Sequence, residues 1–368
     1  MFADQYLIYA YAFGVTFAAA LALTVVVRHL ALRWDILDHP GGRKTQRAPV
    51  PLLGGVAIVA AFYLVIGVHI VSLDLLDSVG ERWLRESLIL FLGEDHMIKL
   101  AGLLAGGLLI FLLGVVDDLY ALTPWVKLAG QIAAAGVLVL SGMRLEFFDL
   151  PLWITVPATI FWVVLLTNSL NFLDNMDGLC AGVAIIAAFS FFLCVQSYQD
   201  EANHFVRLLL MIFAGAAGGF LYHNVNPARI YMGDAGSMFC GYFLAAIAVA
   251  GTFHVQGESS ALALAAPVLA LSVPLFDTLS VIYLRWRAGQ PLMRGDTRHF
   301  SHRLVALGMT PRQAVEFILL VAGVLGLGGA LLHLLDTNGT IIILAQAAGV
   351  FFLIVLLMNA DRKKNEGA

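Results

Sequence analysis

Apolar residues run along this chain in long blocks broken by short polar clusters. A helix needs roughly 20 mainly apolar residues to cross a bilayer. Stretches 6–28, 51–72, 97–116, 125–142, 151–170, 178–197, 205–222, 235–253, 262–284, 313–335 and 340–359 approach that length. Several are short or glycine-rich, and 235–253 follows a polar motif directly, so the pattern predicts eleven crossings, or ten if one fails. The expected fold is all-α: a polytopic membrane helical bundle forming one domain over residues 1–368. There is no internal repeat and no low-complexity linker to divide it.

Composition agrees with the pattern. Of 368 residues, 60% are hydrophobic and only 12% charged, more apolar surface than one soluble core can hide. The net charge of −4 decides little beside the distribution of charge. Cys180, Cys194 and Cys240 lie in apolar runs without a CxxC pair and read as small buried hydrophobes, neither a disulfide framework nor a zinc site. No short apolar run with a cleavage site precedes the first span, so that span is expected to stay as an anchor.

Basic residues set the expected orientation. With the N-terminus outside, the inner segments hold sixteen of the twenty-one Lys and Arg, and only Arg82, Arg85, Lys99, Arg144 and Arg207 fall outside. The positive-inside rule therefore places the N-terminus outside and the C-terminus in the cytoplasm. The acidic loop 73–96 becomes an extracytoplasmic excursion. The cytoplasmic loops, near 29–50, 117–124, 168–177, 223–236 and 285–312, then carry every unusual polar cluster.

Those clusters are "GGRKTQRAPVPLLGG" with Arg43, Lys44 and Arg47, "GVVDDLY" with Asp117 and Asp118, "NSLNFLDNMDGL" from Asn168 to Leu179, "YMGDAGS" with Asp234, and "RGDTRHFSHRL" with Arg298, His299, His302 and Arg303. Each has a plain reading: a solvated helix end, an N-terminal cap, incidental loop histidines, or basic residues against anionic headgroups. Together they fit one task. Asp and Asn oxygens are hard ligands, and magnesium uses one or two of them beside water and substrate phosphate. Residues 168, 171, 174 and 177 would wind round one side of a helix, drifting about 60° per step at roughly 100° per residue. Nearby Arg and His would grip phosphate oxygens. The expectation is phosphoryl-group chemistry at the inner surface.

In the order and spacing of these motifs the sequence resembles the polyprenyl-phosphate N-acetylhexosamine-1-phosphate transferase family, from about residue 38 to 310. The resemblance implies transfer of an N-acetylhexosamine-1-phosphate from a UDP-sugar to undecaprenyl or another polyprenyl phosphate, with release of UMP. Magnesium would be the cofactor, with manganese as a substitute. It implies Asn171 and Asp234 as metal ligands, and Asp117 and Asp118 at the lipid phosphate. Asp174 and Asp177 fall on the nucleotide side, Asn168 is a substrate-binding residue, Arg298, His299, His302 and Arg303 fall at the diphosphate, and Lys44 at the acceptor phosphate or a headgroup. The implied partners are the UDP-N-acetylhexosamine, the polyprenyl phosphate and the bilayer, without nucleic acid; a homodimer is left open.

The chain departs from the pattern twice. His299-Phe300-Ser301-His302 lacks the middle histidine of H-x-H-H, and Gln46 replaces the histidine of Arg-Lys-x-His. Absence of a triple histidine favours the undecaprenyl-phosphate GlcNAc-1-phosphate branch over the phospho-N-acetylmuramoyl-pentapeptide transferases. The rival classes are an ion-coupled transporter, whose carboxylates would sit near the bilayer midplane between repeats, and a non-catalytic lipid-binding scaffold.

Overall fold

The computed structural model describes residues 2–39, 48–71, 94–145, 150–195, 201–250, 260–291 and 298–366. These residues form thirteen α-helices, one short 3-10 turn and a two-stranded ribbon. The helices are α1 (Phe2–Arg33), α2 (Gly54–Val71), α3 (Glu94–Tyr120), α4 (Pro124–Leu140), α5 (Leu152–Leu173), α6 (Leu179–Val195) and α7 (Glu201–Asn224). They continue with α8 (Gly233–Ala250), α9 (Ser260–Ala270), α10 (Ser272–Arg287), α11 (Phe300–Ala306), α12 (Pro311–Leu331) and α13 (Thr337–Glu366).

Among the described residues, eight helices are long and apolar enough to cross a membrane, and α4 and α6 are shorter apolar helices. The protein is a multi-pass membrane protein of almost wholly helical structure. The single helix expected over 262–284 is instead two, α9 and α10, parted at Leu271. Pro274 is the physical reason: it has no N–H to give the Ala270 carbonyl, and its ring crowds that carbonyl. Hydrogen bonds resume at once on either side, from Leu271 N to Pro267 O and from Leu275 N to Leu271 O.

The crossings bury their polar groups in recurrent ways. Thr16, Thr24, Thr159, Ser169, Ser190 and Ser237 each donate a hydroxyl hydrogen to the carbonyl four residues back, which hides it from lipid. Helix starts follow local chemistry. Proline stands first in α4 and α12, where its missing N–H costs nothing, and Thr310 and Gln313 close a reciprocal capping box on α12. All three cysteines are buried and free.

Two helices form the centre. In α7 and α8, 83% and 78% of the apolar window is buried, against 11% in α13, which lies at the periphery. At the start of α8 the chain is gripped by the segment before α2. Ribbon strands β1 (Leu37–Asp38) and β2 (Val50–Pro51) pair antiparallel. From there Tyr231 N donates to Pro51 O, Gly54 N to Tyr231 O and Gly55 N to Met232 O, each at 2.8 Å. A Cβ on Gly55 would lie 2.1 Å from the Gly236 nitrogen, so only glycine allows α2 to pass so close to α8.

Candidate active site

The end of α3, the start of α4, the end of α5 and the start of α8 meet at one end of the bundle. Asp118, in the last turn of α3, accepts the N–H of Asp234 on Oδ1 at 2.8 Å and that of Ala235 on Oδ2 at 3.1 Å. A carboxylate from a different helix thus caps the first amides of α8, which have no partner within their own helix. Gly233, at φ +74°, makes the turn into α8, and a Cβ there would lie 2.6 Å from Asp118 Oδ2. The Gly-Asp-Ala-Gly-Ser motif therefore does not cap itself through Asp234. That side chain is left for other partners.

Asp234 Oδ1 accepts from Asn171 Nδ2 at 2.8 Å, and Oδ2 from Lys127 Nζ at 2.6 Å. Lys127 Nζ also lies 2.6 Å from Asp117 Oδ2, so one ammonium joins two carboxylates. The other Asp117 oxygen accepts Leu122 N at 2.7 Å, fixing the α3–α4 turn. The Asn171 amide donates as well to Ser237 Oγ, at 2.9 Å. Among these charged side chains Asp234 keeps the most solvent contact, 29% against 20% for Lys127 and 9% for Asp117. Among the described residues no three His, Cys, Asp or Glu side chains converge on one point, so the cluster is no protein-only metal cage. It offers carboxylate and amide oxygens beside a lysine.

The expected four-residue arc is corrected. α5 ends at Leu173, so only Asn168 and Asn171 lie on the helix, and Asp174 and Asp177 stand in the following turn. Asp174 has left helical geometry at ψ 53°, and its N–H reaches only the Asn171 carbonyl. Enclosure by protein pushes its carboxyl up to about 8, and the charges of Asp234 and Asp118 add to the effect. Asn168 pairs with Gln131 on α4 through its amide at 2.7 Å. Asp177 Oδ2 accepts from Asn226 Nδ2 and from Ala228 N, at 2.9 and 3.0 Å, which ties the α7–α8 loop to the α5–α6 turn.

The histidine segment docks on the same turn. Ser301 Oγ donates to Asn175 Oδ1 at 2.5 Å, and the His299 ring lies 6.1 Å from that of Phe172. His299 Nδ1 meets Asp277 Oδ2 at 2.8 Å, and Phe300 N donates to Asp277 Oδ1 at 2.5 Å. Arg303 donates to Ser280 Oγ at 2.6 Å. Arg298 turns to the side-chain oxygen of Gln290. Burial, with His299 beside it, holds His302 below the usual histidine range, and burial likewise lowers Arg303. Lys44 lies outside the described residues.

Two groups here have no assigned role in the sequence reading. Lys127 enters it only as an inner basic residue, and Asp277 is absorbed in the apolar stretch 262–284. A signal existed for both, because a charge inside a predicted span is costly and leans toward function.

This constellation can be set beside known proteins. The profile of Glycosyl transferase family 4 matches residues 100–252, which include every side chain of the acid cluster. The chain is 31% identical over 367 residues to the decaprenyl-phosphate N-acetylglucosaminephosphotransferase of Mycolicibacterium smegmatis, covering 93% of this chain and 86% of that one. The chain belongs to the polyprenyl-phosphate N-acetylhexosamine-1-phosphate transferase family. Within that transferase family, the probable undecaprenyl-phosphate N-acetylglucosaminyl 1-phosphate transferase of Bacillus subtilis is 28% identical over 332 residues, 87% of this chain and 84% of its own length. The phospho-N-acetylmuramoyl-pentapeptide-transferase of Listeria monocytogenes is 39% identical over only 97 residues, 26% of this chain.

Proposed function

We propose that this transferase moves N-acetylglucosamine-1-phosphate from UDP-N-acetylglucosamine to a polyprenyl phosphate and releases UMP. The observation that carries the reading is the Asp117–Lys127–Asp234–Asn171 cluster at one end of a membrane bundle, in a chain of this family. Chain-long similarity to N-acetylglucosamine-1-phosphate transferases, against a local one to the muramoyl-pentapeptide enzymes, supports the smaller sugar.

The reaction joins two anions. An oxygen of the lipid phosphate attacks the sugar-linked phosphorus, the bond to the nucleotide-side phosphate breaks, and UMP leaves with the bridging oxygen. A phosphate monoester is already largely ionised near neutrality, with a second pKa of about 6, so a strong base is unnecessary. Charge neutralisation and alignment are the main demands. Lys127 supplies a fixed cation between Asp117 and Asp234. Both Asp118 oxygens are committed to backbone amides, which supports a role in placing Asp234, while Asp117 pairs with Lys127, the cation that meets the acceptor phosphate. Arg298, His299, His302 and Arg303 grip the diphosphate, while Asp174 and Asp177 frame the nucleotide side.

The donor set favours a hard divalent ion. Asp234 and Asn171 would hold magnesium through oxygen, and two protein oxygens suffice when water and phosphate complete the shell. Magnesium, when bound, would neutralise diphosphate charge and ease loss of UMP. The reading includes eleven crossings: the eight long helices, α4, α6 and the broken α9–α10 pair. It places the N-terminus outside and the cluster at the cytoplasmic face of the cell membrane, where a nucleotide sugar is at hand.

The test is direct. Purified protein with polyprenyl phosphate, magnesium and a panel of UDP-sugars should yield a lipid-linked GlcNAc diphosphate, identified by mass, and lose activity on chelation. Labelled UMP should exchange into UDP-sugar only when lipid-linked product is present. Exchange without lipid would establish a covalent phospho-sugar enzyme, and no product with any UDP-sugar would refute the assignment.

A further inference from the structure

One turn of α10 is polar on the side that meets the site. Asp277, Thr278 and Ser280 each reach a different neighbour. Thr278 Oγ1 donates to Ser169 Oγ on α5 at 2.9 Å, Ser280 Oγ receives Arg303, and Asp277 takes His299 and the first amide of α11. The turn therefore joins the helix that carries Asn171 to the segment that carries the histidines. Within it Asp277 is fully buried, at 0% exposure, and its two oxygens each accept one of these donors.

A carboxylate in such a place is costly unless its partners depend on it. A carboxylate oxygen can only accept, so His299 Nδ1 must carry the hydrogen and Nε2 is the ring's free position. His299 is itself only 7% exposed, which leaves the ring few orientations. The arrangement is a buried acid behind an imidazole, set one residue before a helix that it also caps.

Resting on the function proposed above, we propose that Asp277 is the positioning residue of the diphosphate-gripping segment. It fixes the orientation of the His299 ring and the start of α11 behind the donor's diphosphate. Asp277 touches neither substrate and acts through His299. Asp277→Asn keeps the shape but has one acceptor oxygen, so it cannot accept from both His299 Nδ1 and Phe300 N, and one of the two contacts is lost.

Comparable imidazole–carboxylate pairs behind metal ligands cost about 10–100-fold when broken, and a loss of that size is expected here in KM for the UDP-sugar. KM for the lipid phosphate should move less than about twofold, because the acceptor side does not depend on His299. Asp277→Asn combined with His299→Ala should be no worse than His299→Ala alone, and Asp277→Glu should restore part of the loss. Multiplying losses in the double variant, or a parallel rise in lipid KM, would overturn the proposal in favour of general destabilisation. Where Asp277→Asn does not survive purification, Asp277→Glu against His299→Ala is compared in the same way.

A second readout needs no turnover. Diethyl pyrocarbonate labelling of His299, mapped by mass, should accelerate about fivefold or more in Asp277→Asn as the ring is released. An unchanged rate overturns the proposal. Accelerated labelling in a protein inactive on every UDP-sugar would instead refute the functional assignment and leave the Asp277–His299 relationship standing.

Discussion

Lys127 Nζ lies 2.6 Å from Asp234 Oδ2 and 2.6 Å from Asp117 Oδ2, so a single ammonium bridges two carboxylates from α8 and α3. Its partners are half-buried, where charges are screened far less than at a surface. Removing it leaves two facing anions and no fixed cation for an incoming phosphate. Lys127→Met should therefore lower turnover by about two orders of magnitude, or ~2.7 kcal/mol of barrier. Lys127→Arg should recover part of it. Steady-state assay of both variants checks this, and near-normal turnover in Lys127→Met would remove the lysine from the chemistry.

Asp118 predicts a different signature. Its two oxygens cap Asp234 N and Ala235 N, and Ala at 118 would strand both amides at a helix start. Loss of a cap costs about 0.5–2 kcal/mol, and two orphaned amides lie at the upper end. Asp118→Ala should lower the thermal midpoint in detergent as well as activity, whereas Asp117→Ala should lower activity with a smaller change in midpoint. Equal midpoints for the two variants would contradict the division of labour.

Asp234 itself combines exposure with charge. Asp234→Asn can keep a hydrogen bond to Asn171 but loses the carboxylate that would hold magnesium. Magnesium binding and turnover should both collapse while the midpoint holds. Ser301→Ala is the control: its hydroxyl bonds Asn175 and adds no charge, so a change under about fivefold is expected. A well-folded Asp234→Asn protein with ordinary turnover at limiting magnesium would place the metal elsewhere.

The membrane blocks and the polar motifs were legible because hydropathy and residue type are local properties. Among the described residues eight of the eleven expected stretches are helices long and apolar enough to cross a membrane, 125–142 and 178–197 are shorter apolar helices, and 262–284 is broken in two. Pro274 was visible in the sequence and breaks 262–284, yet the block's length outweighed it. The three-residue spacing of Asn168, Asn171, Asp174 and Asp177 looked like one helical face, but α5 ends at Leu173 and the last two belong to a turn. What no local pattern gives is partnership across the bundle. Lys127 and Asp234 stand 107 positions apart, and only the packing of both α4 and α8 on α3 and α5 brings them together. The same holds for Asp277 and His299, joined across the α10–α11 connection.

Orientation yields a prediction of its own. Cysteines introduced at Asn175 and Arg298 should react with membrane-impermeant reagents from the cytoplasmic side, and one at Glu81 from outside. Arg28 reaches the Arg229 carbonyl, so a cysteine at Arg229 should behave like the first two. Labelling of Asn175 and Glu81 from the same side would reverse the proposed topology.

The last prediction concerns Asp174 and pH. Burial and the charges of Asp234 and Asp118 disfavour its ionised form and push its carboxyl up to about 8, above the ordinary 3.8 of the unfolded chain. Between those values the folded state binds more proton than the unfolded one, so stability falls as pH rises from about 4 toward 8. In chelator, the thermal midpoint of the wild type should therefore drop by a few degrees more between pH 5 and pH 8 than that of Asp174→Asn, which cannot ionise. Added magnesium should shrink the difference, since a cation in the cluster offsets the repulsion that raises the carboxyl. Parallel midpoint curves for wild type and Asp174→Asn in chelator would show that Asp174 is already ionised throughout this range and that the enclosure argued for it is wrong.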